Sequence, residues 1–154
     1  MPSLHKLDLS GVSTCSVSGF DTRAGITFNV SGKSTLTADN MTAGDMVLKV
    51  SNTSKVTGNF TAGDVKLKCS GASTVVLFGI ANDLSCNASS SSQLKMDAFA
   101  LGNAKVILGD ESIAAIKPSG KLDVQLSNAS KLTYYGDPVL VETQIERGST
   151  MTRK

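Results

Sequence analysis

Residues 65–77, VKLKCSGASTVVL, hold the quartet Ser70-Gly71-Ala72-Ser73 between two runs in which every second residue is apolar: Leu67 and Cys69 before it, Val75 and Leu77 after it. Alternation with period two marks a β-strand with one buried face. Glycine accepts a positive φ and short hydroxyl side chains bond nearby backbone groups, so the quartet reads as a tight corner between two strands.

The unit recurs. The last serine of the quartet stands at Ser13, Ser34, Ser54, Ser73, Ser92, Ser112, Ser130 and Ser149, at intervals of 21, 20, 19, 19, 20, 18 and 19 residues. The quartets read SGVS, SGKS, SNTS, SGAS, SSSS, GDES, SNAS and ERGS. The flanking alternation persists from Leu7 and Leu9 to Leu132 and Tyr134, and weakens in the last unit, where Thr143 and Arg153 take inner slots. A fixed period that tolerates single-residue insertions is the signature of a solenoid. One unit cannot bury its apolar face, whereas stacked units pile like side chains into ladders joined by parallel strand pairing.

The expected fold is therefore all-β: one domain over residues 1–154, a flattened parallel β-helix (β-solenoid) of about eight coils of 18–21 residues, with two stacked parallel sheets. The hand expected from parallel crossovers is right. The second corner of each coil is looser, and Phe20, Met41, Phe60, Ile80 and Phe99 read as apolar plugs for that end of the section.

With 40% apolar residues, no tryptophan and a formal charge of +2, the 154-residue chain has length and composition for one core. It has no basic run to serve as a nucleic-acid footprint and no apolar stretch of membrane-spanning length. Met1-Pro2-Ser3 leads directly toward the first strand, with no signal peptide or lipid-attachment cysteine visible. Cys15, Cys69 and Cys86 all fall in inner slots, and Cys69 and Cys86 are offset by two residues along neighbouring strands, so buried thiols rather than a disulfide are expected.

The only histidine, His5, has no partner in the sequence that would make it a catalytic base for a serine or cysteine. Asp45, Asp64 and Asp83 share one slot in three successive coils, with Asn103 next. Oxygen ligands at strand spacing suit calcium, but the AGD, AND and LGN contexts are also those of ordinary turns, which is the reading preferred over a metal site. Lys49, Lys66, Lys68 and Lys105 fall together on the outward side of the first sheet, a possible ligand surface for an anionic glycan or simply a solvated basic stripe. Carboxylates are sparse there until Asp123 and Glu142, which leaves a lyase-like acidic cluster unsupported. The pairs Thr35 with Thr37 and Thr150 with Thr152 are interrupted by Lys55, Val76, Lys95 and Ala115, against a regular ice-matching face.

The SGxS corners, the opening PSLHKLDLSGVS and the closing SNASKLTYYGDPVLVETQIERGSTMTRK resemble the head GIN domain family of proposed auto-transporter adhesins, described mainly in Bacteroidetes. The resemblance runs from Pro2 to Arg153 and corresponds to the C-terminal half of a typical member. It implies a pectin lyase-like β-helix, a secreted or cell-envelope location and a role in adhesion without recognised catalytic residues or cofactor. The expected function is thus a non-enzymatic envelope binding module whose partner is a glycan or a cell-surface protein, with neither nucleic acid nor direct membrane insertion involved. Self-association through the solenoid ends is a further expectation, because terminal strands leave an open edge. The alternative is a polysaccharide-active enzyme, pectate-lyase-like, on the same scaffold.

Overall fold

The computed structural model describes residues 4–154; Met1, Pro2 and Ser3, where a leader was sought, lie outside the described residues. No helix occurs among the described residues. The strands are β1 (Lys6–Leu9), β2 (Thr14–Ser18), β3 (Asp21–Thr22), β4 (Ile26–Val30), β5 (Thr35–Ala43), β6 (Met46–Val50), β7 (Lys55–Cys69), β8 (Thr74–Ala88), β9 (Gln93–Leu108), β10 (Ile113–Pro118), β11 (Lys121–Leu126), β12 (Lys131–Tyr134), β13 (Val139–Ile145) and β14 (Thr150–Arg153).

Every pairing is parallel and joins one coil to the next, giving a β-solenoid of about eight turns. Before the serine corner, one ladder runs Leu7, Phe28, Leu48, Leu67, Cys86, Val106, Val124, Thr143. After the corner, another runs Cys15, Leu36, Val56, Val75, Leu94, Ala114, Leu132, Met151. Their central members are buried, and Phe28 meets the Phe60 ring edge-on at 6.0 Å and 61°. Apolar area removed from water by these ladders is the main stabilising term.

The looser second corner is also hydrogen-bonded strand. Thr42 pairs with Thr61, Thr61 with Ile80, and Ile80 with Ala100. The two expected ranks are therefore linked by a third, short one, and the fourteen strands among the described residues form one continuous sheet wound on itself. Of the expected plugs, Met41, Phe60 and Phe99 are buried and Phe20 is half-buried. Ile80 is not a plug: Gly79 takes that slot, opposite Phe60 and Phe99, and Ile80 points outward beside Phe78. The strand period of two sends neighbouring residues to opposite faces, so a one-residue error of alignment reverses the assignment.

At each corner the second residue is left-handed, from Gly11 and Gly32 through Asn52, Gly71, Ser90, Asp110 and Asn128 to Arg147. In the last four coils the third residue joins it: Ser91, Glu111, Ala129 and Gly148. With one left-handed residue or two, the corner returns the chain inward and delivers the final serine to the core. Ser34, Ser54, Ser73, Ser92, Ser112 and Ser130 are all buried. Ser73 Oγ lies 2.7 Å from Ser70 O and 2.9 Å from Asn52 O in the coil below; Ser92 repeats this with Ser89 O and Gly71 O at 2.6 and 2.9 Å. At Ser73 and Ser92 the buried hydroxyl tolerates its desolvation because a carbonyl accepts its proton, whereas Ser34 Oγ is buried without a partner among the described residues.

Candidate functional site

Outward residues of the pre-corner rank form two rows. One reads Asp8, Asn29, Lys49, Lys68, Asn87, Ile107, Gln125, Gln144, and the other Lys6, Thr27, Val47, Lys66, Ser85, Lys105, Asp123, Glu142. Lys49 and Lys68 are directly opposite on β6 and β7, so their α-carbons stand about 4.8 Å apart, the spacing of paired strands. Lys66 lies two residues before Lys68 on the same face, and Lys105 follows two coils later in the row of Lys66, with Ser85 between them.

A shallow groove of about 330 Å³ runs over this face, lined by Lys49, Lys66 and Lys68 together with Val47, Ser85, Asn87 and Ile107. A second, of about 430 Å³, adjoins it toward the serine corners and shares Lys49, Lys68 and Asn87. All four lysines are exposed. Among the described residues the ion pairs are Lys6 with Asp8 at 3.1 Å and Arg153 with Asp137 at 3.2 Å, so these four ammonium groups have no carboxylate partner there. Gathered like charges raise the local potential and attract a polyanion from solution.

A third recess, of about 280 Å³, continues the row and is lined by Asp83, Asn103, Lys105, Lys121, Asp123 and Val141. Asp123 Oδ1 is buried there without a hydrogen-bond donor among the described residues. Its strand neighbours are Lys105 below and Glu142 above, and a bulge between Leu122 and Asp123 inserts Val141 into the facing strand. In the sequence, carboxylates are sparse along this face until Asp123 and Glu142, and the bulge that shapes the recess has no signal in the residue pattern.

Residues 1–138 match the family described as "putative auto-transporter adhesin, head GIN domain". The chain belongs to this family. No curated protein and no solved structure matches it. The family description carries with it a cell-surface or envelope location. The match to the head GIN domain ends at Pro138, so β13 and β14 lie beyond it although they complete the last coil.

The acidic row of this head GIN domain is stitched into the backbone. Asp45 Oδ1 accepts from the Asp64 amide at 3.1 Å, Asp83 Oδ1 from the Asn103 amide and side chain at 3.3 and 2.9 Å, and Asn103 Oδ1 from the Lys121 amide at 2.9 Å. Each of these oxygens thus bonds a backbone amide of the coil above it. Among the described residues, no three His, Cys, Asp or Glu side chains converge as metal ligands. His5 is exposed just before β1. The thiols are free; Cys69 faces Ala88 and Cys86 faces Leu67, so the two never stand opposite one another. Burial pushes both thiols above the ordinary value, Cys86 further, with the nearby Cys69 adding to the effect.

Proposed function

We propose that this head GIN domain is a non-catalytic binding module of the cell envelope, and that the lysine groove on its pre-corner face takes an acidic polysaccharide. One observation carries the reading: Lys49, Lys66 and Lys68 line a shallow groove, Lys105 follows two coils on in the row of Lys66, and none of the four has a carboxylate ion-pair partner among the described residues. A flat, shallow face suits an extended chain better than a small molecule, which calls for a concave site that encloses it. Repeated ammonium groups at coil spacing match repeated carboxylate or sulfate groups along such a polymer.

The polysaccharide-active reading draws on a separate observation, the buried Asp123 oxygen beside Lys105 and Glu142. Incubation with uronate-bearing, sulfated and neutral glycans tells the two apart. Retention of acidic glycans without new reducing or unsaturated ends supports the binding module. Turnover of any of them overturns it in favour of the enzyme, as does retention that ignores glycan charge in favour of another ligand.

A further inference from the structure

Among the described residues, the carboxylate oxygen that is buried without a hydrogen-bond partner is Asp123 Oδ1, in the recess of about 280 Å³ beside Lys105 and Lys121. A buried oxygen of this kind is costly unless something donates to it. Its neighbours in the recess are engaged: Asp83 Oδ1 accepts from Asn103, and Asn103 Oδ1 from the Lys121 amide. We propose that the recess is a subsite for an N-acetylated amino sugar, whose amide N–H donates to Asp123 Oδ1, and that the polymer on the lysine groove carries uronate next to such a sugar. This rests on the reading of the groove as a polysaccharide site.

The surroundings of the oxygen select the donor. Lys105 is the strand neighbour of Asp123, and Lys121 lies two residues before it on the same face, so two ammonium groups flank it without forming an ion pair with it. They disfavour a cationic donor, whether a metal ion or a protonated amine, and leave a neutral N–H or O–H. Leu84, Ala104 and Val141 add carbon to the wall. A hydroxyl alone leaves that surface unmatched, whereas an acetamido group carries a methyl beside its N–H and meets both. The volume falls just under the range of about 300–1,000 Å³ for sites that enclose a drug-sized ligand, which suits one sugar ring rather than a length of chain.

Lys105 joins the two sites. It stands two coils from Lys66 in the row beside the groove, about 9.6 Å at strand spacing, and one coil from Asp123, about 4.8 Å. A polymer laid along the solenoid axis thus places a carboxylate near Lys105 and its next sugar over Asp123. Glu142 faces Asp123 from the coil above, and this pair of carboxylates repels a uronate from the recess itself.

Binding of hyaluronan, which alternates glucuronate with N-acetylglucosamine, and of polygalacturonate, which has no amide, tests this, with circular dichroism to confirm that each variant folds. Loss of the Asp123 charge strengthens attraction for any polyanion, so the ratio of the two affinities is the quantity to read. Asp123→Ala should lower the ratio of hyaluronan to polygalacturonate affinity about tenfold, the scale of one hydrogen bond to a charged acceptor. Asp123→Asn, which has nearly the same shape and keeps an oxygen, should lower it less. In saturation-transfer NMR with a hyaluronan octasaccharide, the acetamido methyl should receive transfer from the parent and lose most of it in Asp123→Ala. Lys49→Ala with Lys68→Ala should weaken both polymers. If that lysine variant does so while Asp123→Ala leaves the ratio and the methyl signal unchanged, the recess proposal falls and the groove stands; if the parent binds neither polymer, both fall.

Discussion

The main-chain carbonyl of Phe60 occupies the place where Gly79 would carry a β-carbon. Gly79 also has φ +113°, a conformation that side chains resist. Gly79→Ala should therefore lower stability by about 1–3 kcal/mol through backbone strain, and further through displacement of the Phe60 carbonyl. Gly19→Ala is the control, since its φ is +69° but nothing lies within 4 Å of its missing β-carbon. Urea denaturation of both variants gives the comparison; equal losses would mean that close approach at Gly79 is immaterial.

Serine at the corner does more than make a turn. Ser92→Ala removes a buried hydroxyl whose one proton is shared between Ser89 O at 2.6 Å and Gly71 O at 2.9 Å, and so deprives that pair of carbonyls of their side-chain donor. The expected loss is about 1–3 kcal/mol. Ser13 in the first coil is half-buried and bonds only Ser10 O, so Ser13→Ala should cost clearly less. A gradient from the middle coils to the end, measured by thermal unfolding, is the outcome to look for.

The period of the serines was enough to order the coils because each insertion falls in a corner or bulge, where it leaves the inward face of the following strand unchanged. Leu48, Leu67 and Val106 were legible as core for that reason. At the second corner register slips occur between Ala38 and Met41 and between Val76 and Phe78, and there alternation could not choose between Gly79 and Ile80. Burial of the corner serines was hidden as well, since a hydroxyl reads as polar until its carbonyl partners in the coil below are known. The lysine rows could be foreseen from strand parity, but the recess at Asp123 depends on a bulge that the sequence does not mark.

Burial holds the Cys69 and Cys86 protons more tightly than in the unfolded chain, where a thiol titrates near 9.0. With the folded values raised, this contribution to stability is complete below that range and declines as pH climbs above it, because only the unfolded state gives up its protons there. Cys86→Ala should flatten the fall in stability between pH 8 and about pH 10.5 while lowering stability at pH 8 through the lost side chain. A thiol-reactive disulfide reagent should label half-exposed Cys15 well before the other two. Simultaneous labelling of all three in the folded protein would contradict the inward placement of Cys69 and Cys86.

Lys49 and Lys68 face water, so Lys49→Ala with Lys68→Ala should leave thermal unfolding within about 0.5 kcal/mol of the parent. Affinity for an acidic glycan should behave otherwise. An exposed charge contact is worth about 0.2–1 kcal/mol, so loss of two should weaken binding roughly two- to thirtyfold at low salt. Added salt should weaken the parent more than the double variant, because screening acts on the contacts that the variant no longer makes. Lys55→Ala with Lys131→Ala removes the same charge from the post-corner rank and should leave affinity nearly unchanged. If that second pair costs as much as the first, attraction follows net charge alone, and the groove between β6 and β7 is not where the polymer lies.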